Sequence, residues 1–117
     1  MKRILVVDDD VTISHLVCLI LESTGYNVAR AADGEEALRK MSEHQPDLVL
    51  LDIMMPILDG RETSLRMQSD PTLRDIPIVF VTASPASLEG GSFPHAAVLR
   101  KPVQIDDLLE TVARVVR

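Results

Sequence analysis

The chain has a single cysteine, Cys18, so no disulfide can close within it. That usage fits a reducing compartment, and the cytoplasm is the expected location. No segment approaches the roughly 20 consecutive apolar residues that a membrane helix needs, so no membrane contact is expected. The amino-terminal stretch MKRILVV is too short in its apolar part for a secretion signal, and three aspartates follow it at once. Basic residues are in the minority, 12 Lys and Arg against 18 Asp and Glu, for a net charge of −6. No Lys/Arg stripe offsets that charge, so nucleic-acid binding by these residues is not expected. Repeats, linkers and low-complexity tracts are absent too.

What the chain does contain is the material for one folded unit. Hydrophobic residues make up 46% of 117 and charged residues 26%, as in ordinary globular domains. That length buries a core without disulfides or a structural metal. Residues 1–117 read as one domain, with no output domain among them.

Apolar runs and helical stripes alternate along the chain. Residues 4–7 form a continuous apolar run, the pattern of a strand buried on both faces. Helix 11–24 follows, with Ile13, Leu16, Val17, Ile20 and Thr24 recurring on one face and Gly25 as its C-cap. Strand 26–31 leads to Asp33, which can cap a helix running to about His44 with Ala37, Leu38 and Met41 inside. Strand 47–51, a helix at 60–69, strand 78–81 and a short strand at 96–99 come next. A last helix at 104–116 carries the stripe Ile105, Leu108, Leu109, Val112, Ala113 and Val116. Five alternations argue a doubly wound parallel sheet with helices on both faces. Right-handed crossovers and the switch-point rule favour strand order 2-1-3-4-5.

Segment 84–95 breaks the pattern, because a helix belongs there but Pro85, Gly90, Gly91 and Pro94 oppose it. Two glycines alone cost a helix interior about 2 kcal/mol relative to alanine. One or two turns near 86–89 and a mobile loop after them are expected, so this helix is shortened or irregular.

Four short pieces of sequence end at the same edge of such a sheet. Asp8-Asp9-Asp10, Asp52, Thr82 and Lys101 each stand at or just past the C-terminal end of an apolar run. Ligands of open parallel sheets bind at that edge, where the strand order reverses. Carboxylates gathered this closely repel one another, and a hard dication such as Mg²⁺ relieves the repulsion. Asp52 then has an oxygen free to attack a phosphoryl group and form an acyl phosphate. Lys101 can pair with one phosphoryl oxygen and the Thr82 hydroxyl can donate to another. Taken singly, each residue has a plainer reading. Asp10 reads as the helix cap, Asp8, Asp9 and Asp52 as caps, turn residues or solvated groups, Thr82 as a β-former and Lys101 as a surface lysine. Their joint placement at four strand ends is what points to a site.

The chain resembles response-regulator receiver domains of the chemotaxis-regulator type, over nearly its whole length and in order. The matching stretches are ILVVDDD, DG-EEAL, PDLVLLDIMMPILDG, IPIVFVTA and LRKP. The resemblance implies a flavodoxin-like fold with Asp52 as phosphoacceptor. It implies Asp8 and Asp9 as the acidic pair, and Mg²⁺ held by Asp9, Asp52 and the backbone carbonyl of Met54. Thr82 and Lys101 take the places of the switch hydroxyl and the lysine, while Pro56 and Gly60 shape the loop beside the acceptor. The implied partners are a histidine kinase or histidine phosphotransfer protein, docking near helix 1, and a downstream protein. Cys18 and Leu19 widen the apolar face of that helix in keeping with docking, or with packing onto the loop before the next helix. Met54 and Ser84 stand where the family tunes hydrolysis of the acyl phosphate, and neither is a strong base toward water.

Three departures from the family pattern bear on output. Val98 stands where an aromatic switch residue is usual, and Val103 where a phenylalanine commonly follows Lys-Pro. The interval from Thr82 to Lys101 is shorter than usual by about one helical turn. The signal is therefore expected to leave by reordering of segment 84–95. Two rival functions remain at this level. One is a pseudo-receiver, an interaction module of the same fold. The other is a haloacid-dehalogenase-like phosphatase, because Asp8-Asp9-Asp10-Val11-Thr12 reads D-x-D-x-T. Asp8 would then be the nucleophile and Asp10 the acid/base. His15, His44 and His95 show no ligand spacing and read as solvated.

Overall fold

A computed structural model describes residues 1–88 and 93–116. Five parallel strands form one sheet in the order β2-β1-β3-β4-β5. They are β1 (Arg3–Val7), β2 (Asn27–Ala31), β3 (Leu48–Asp52), β4 (Ile78–Thr82) and β5 (Ala97–Arg100). Among the described residues four helices cover the faces: α1 (Val11–Ser23), α2 (Gly34–Glu43), α3 (Gly60–Ser69) and α4 (Ile105–Val115). The strand order is the expected one, and observed element ends lie within a residue or two of the expected ends.

Local chemistry explains where the helices start. The carboxylates of Asp10, Asp33 and Asp59 each accept from a backbone amide in the first turn, at Ile13 (3.0 Å), Glu36 (2.9 Å) and Glu62 (2.9 Å). Each such cap stabilises its helix by about 1 kcal/mol. Glu36 also reaches back, its carboxylate accepting from the amide of Ala32, one residue before the cap, at 2.9 Å.

Residues of β3 are buried without exception, and β1 is buried from Ile4 onward. Alternate residues of these central strands feed two cores. Leu5, Val7, Val49, Leu51 and Phe80 pack toward α2 and α3 with Ala37, Met41 and Met67. Ile4, Val6, Leu48, Leu50 and Val79 pack toward α1 and α4 with Leu21, Leu108 and Val112. β2 lies at the sheet's edge and shows the alternating burial of a strand covered mainly on one side.

The helix faces needed correction. In α1 the buried residues are Ser14 and Leu21, with Cys18 and, as expected, Val17 and Ile20 packed beside them. Ile13 and Leu16, expected inside, are 46% and 54% exposed. The face against the sheet is turned by about one residue from the most apolar stripe, because Ser14 meets Arg30 of β2 there: Arg30 Nε donates to Ser14 Oγ. In α4, Leu108 and Val112 are buried as expected and Val116 beyond it is too. Ile105 and Ala113 face outward, while Thr111, not expected inside, is buried. The outward residues of α1 and α4 line an apolar groove of about 840 Å³ that reaches Asp8, Asp52 and Lys101.

Among the described residues of segment 84–95 there is one 3₁₀ turn, Pro85–Leu88. The expected mobile loop falls on residues 89–92, outside the described residues. Beyond it His95 is exposed but not merely solvated. Its ring meets Phe80 edge-on with centroids 5.4 Å apart.

Candidate functional site

The parallel register brings the ends of four strands together. Asp8 follows β1 and is 7% exposed; its backbone amide donates to Ala31 O at 3.1 Å, extending the ladder with β2 by one residue. Its Oδ1 accepts from the Asp10 amide at 2.9 Å, which fixes the turn into α1. Asp10, exposed and engaged in capping, stands at the pocket's wall but does not join the converging carboxylates. Asp52 ends β3 and is 3% exposed. Thr82 ends β4 and is also buried. Lys101 follows β5, and its backbone amide donates to Thr82 O at 2.9 Å.

These side chains meet. Lys101 Nζ lies 3.1 Å from Asp52 Oδ1 and 3.9 Å from Asp8 Oδ2. Carboxylate oxygens of Asp8, Asp9 and Asp52 lie within 4.8 Å of one another, the one such acidic group found among the described residues. Asp106 and Asp107 sit in the first turn of α4 and do not join it. Three carboxylates thus face one ammonium.

The electrostatics show that imbalance. The Asp52 carboxyl is pushed up from 3.8 to about 6. Burial is the largest cause, and the Asp8 charge follows; the hydrogen bond and charge of Lys101 pull the other way, and Asp9 adds a smaller push upward. A donor set of converging oxygens with surplus negative charge suits a hard, oxygen-seeking dication.

Thr82 is committed locally. Its Oγ1 accepts from the Ser84 amide at 3.0 Å and donates to Ser84 O at 3.2 Å. The hydroxyl therefore holds the exit from β4 in a tight turn. Val98, the position of interest one strand further, is half-buried against the α2/α3 core.

Two supporting features carry little sequence signal. Gly60 opens α3 pressed against the end of β3: a Cβ there would stand 2.3 Å from Asp52 O and 2.8 Å from Ile53 Cα. Its amide donates to Ile53 O at 2.9 Å, closing the loop that leaves Asp52. The sequence marks Gly60 as a loop-shaping residue, but the backbone contact that makes it necessary is visible only in three dimensions. Arg30 was missed altogether; its Nη2 donates to Asp8 O at 3.4 Å while its Nε holds Ser14. A lone arginine next to the end of an edge strand was the available clue.

A buried aspartate at the switch point, flanked by an acidic pair, a lysine and a threonine, defines a phosphoryl-signalling class of α/β domain. The chain belongs to the response regulator receiver domain family, whose model matches residues 4–113. It is 36% identical to the DNA-binding dual master transcriptional regulator RpaA of Synechocystis, over all of this chain and 50% of that protein. The chain thus spans about half of that relative's length. The solved chemotaxis protein CheY4 of Vibrio cholerae superposes with a TM-score of 0.90 at 34% identity, over 98% of both chains. The receiver domain of the sensor histidine kinase PA1611 of Pseudomonas aeruginosa superposes with a TM-score of 0.88 at 28% identity, over 98% of this chain and 97% of that one. That structure has a magnesium ion coordinated in its active-site cleft. Receivers are signalling switches, and neither the phosphatase nor the pseudo-receiver reading gains support from these relatives.

Proposed function

We propose that Asp52 accepts a phosphoryl group from a phosphohistidine of a histidine kinase or histidine phosphotransfer protein. A carboxylate oxygen of Asp52 bonds to phosphorus as the P–N bond to the donor imidazole breaks, leaving an acyl phosphate and a free imidazole that takes up a proton. The observation that carries this reading is the Lys101 ammonium 3.1 Å from Asp52 Oδ1 in a pocket of three converging carboxylates. Lys101 then turns from the carboxylate to a phosphoryl oxygen, and Thr82 Oγ1 donates to another. Asp8, Asp9, Asp52 and the Met54 carbonyl would hold Mg²⁺. When bound, that ion supplies neutralising charge to carboxylates and phosphoryl oxygens alike. In this way the domain promotes its own phosphorylation, and it loses the group to water slowly, because neither Met54 nor Ser84 is a strong base.

The donor's helices dock on the apolar groove between α1 and α4, which opens on the same pocket. Output starts at Thr82. Recruiting its hydroxyl to the phosphoryl group releases Ser84 O, so the turn after β4 changes without an aromatic at Val98. A downstream protein reads that change in the cytoplasm. No helix among the described residues is long and apolar enough to cross a membrane, and these residues bind no nucleic acid in this reading.

Intact-mass measurement after incubation with Mg²⁺ and acetyl phosphate tests the chemistry. One phosphoryl mass on the native chain and none on Asp52→Ala is the expected result. An adduct that persists in Asp52→Ala moves the nucleophile to another carboxylate, Asp8 first.

A further inference from the structure

Asp9 differs from its two acidic neighbours in what holds it. It is exposed, and among the described residues its carboxylate has no hydrogen bond or ion pair. Yet one of its oxygens converges with those of Asp8 and Asp52 within 4.8 Å. Its direction is therefore set by the backbone, through the peptide unit that joins it to Asp8. That unit is planar, so fixing the Asp8 carbonyl oxygen fixes the plane from which Asp9 departs. Arg30 supplies the contact. Its Nη2 donates to Asp8 O at 3.4 Å and its Nε donates to Ser14 Oγ. Ser14 is fully buried, and its hydroxyl donates in turn to Val11 O at 3.2 Å. The guanidinium thus spans the end of β1 and the start of α1, bracketing the turn that carries both aspartates. Its own backbone is held from α2, because Lys40 Nζ donates to Arg30 O while pairing with Glu36 at 3.7 Å. A rigid planar fork can hold two acceptors at a set angle, which a lysine cannot do.

We infer that Arg30 is a positioning residue for the divalent cation: by holding the Asp8 carbonyl it presets Asp9 for coordination. This rests on the reading of Asp8, Asp9 and Asp52 as the Mg²⁺ ligands. Mg²⁺ demands near-ideal octahedral geometry, so a ligand that has to be ordered on binding costs affinity. Charge alone argues the other way. Arg30 is a cation beside the pocket, and removing it would by Coulomb's law draw a dication in more tightly. Geometry and charge thus predict opposite signs for the same substitution.

The test titrates Mg²⁺ alone into EDTA-stripped protein by calorimetry, and follows phosphoramidate labelling against Mg²⁺ concentration. It compares the native chain with Arg30→Met, which keeps the apolar stem, and Ser14→Ala, which keeps the charge but removes the anchor of the fork. Leu21→Ala, in the last turn of α1, is a control for lost stability. Arg30→Met should weaken Mg²⁺ binding about tenfold, as the loss of an outer-shell partner does. Ser14→Ala should weaken it about threefold, the fork being loosened and not lost. In both, half-saturating Mg²⁺ for labelling should rise by the same factor, with the native rate regained at saturating Mg²⁺. Leu21→Ala should unfold at lower urea with native Mg²⁺ affinity. Unchanged or tighter binding by Arg30→Met overturns the inference, and tighter binding makes Arg30 a charge effect only. Equal weakening in Leu21→Ala also overturns it, since any loss of stability would then suffice. So does a lower labelling rate at saturating Mg²⁺ with unchanged affinity. Absence of Mg²⁺ binding by the native chain removes the ligand reading on which the inference rests, a result distinct from native binding that Arg30→Met leaves intact.

Discussion

Replacing Asp52 by asparagine should stabilise the metal-free protein, and by an amount that depends on pH. The Asp52 carboxyl sits at about 6 in the folded chain against an ordinary 3.8. The native state therefore holds this proton more tightly than the unfolded state does. Its contribution makes stability fall as pH rises from about 4 to about 6. Above that window the group is ionised in both states and the whole penalty is present; below it the group is neutral in both and the penalty is gone. A shift of about two units at about 1.4 kcal/mol each sets an upper value near 3 kcal/mol, and relaxation of the pocket brings the expectation to about 1–3 kcal/mol. Asparagine keeps the shape and a carbonyl for Lys101 while removing the charge that meets Asp8 and Asp9. Against a total stability of about 5–15 kcal/mol this is readily measured. Urea unfolding in EDTA at pH 7.5 and pH 4 gives the comparison. The gain from Asp52→Asn should be present at pH 7.5 and nearly vanish at pH 4. No gain at pH 7.5, or the same gain at both values, refutes the account of crowded, buried carboxylates.

Mg²⁺ should raise the native melting temperature by binding linkage, and Asp9→Ala should remove most of that rise, checked by thermal scans with and without the ion. Gly60→Ala should cost about 1–3 kcal/mol and slow phosphorylation by acetyl phosphate, since its Cβ has no space beside Asp52 O. Leu21→Ala should cost about 2–5 kcal/mol in urea unfolding and Leu16→Ala under about 0.5 kcal/mol, because Leu21 is fully buried and Leu16 is 54% exposed. Equal costs for the two leucines would restore the face of α1 read from its apolar stripe.

Much of the fold was legible because local rules sufficed. The apolar runs at β1 and β3 are strands buried on both sides, and periodicity cannot mistake them for a half-exposed edge. Asp10, Asp33 and Asp59 mark helix starts by a short-range bond that needs no tertiary context. The α1 face was misread because its most apolar stripe is not its core stripe. Ser14 is buried because Arg30, from the neighbouring strand, supplies its partner, and no pattern within the helix shows that. Thr111 and Ile105 of α4 exchange roles for a related reason: which way a helix turns on a sheet depends on what the sheet presents.

The sequence by itself determined the alternation of strands and helices, the strand order, and the set of Asp8, Asp9, Asp52, Thr82 and Lys101, since strand ends of a parallel sheet converge whatever the side chains around them. Tertiary structure decided how that set behaves. Only packing brings Lys101 to Asp52, buries Asp52 enough to raise its pKa, ties Thr82 to Ser84, and joins Arg30 to Asp8 and Ser14. Those properties arise from distances between residues far apart in the chain, and from the water that packing excludes, neither of which is written in local pattern.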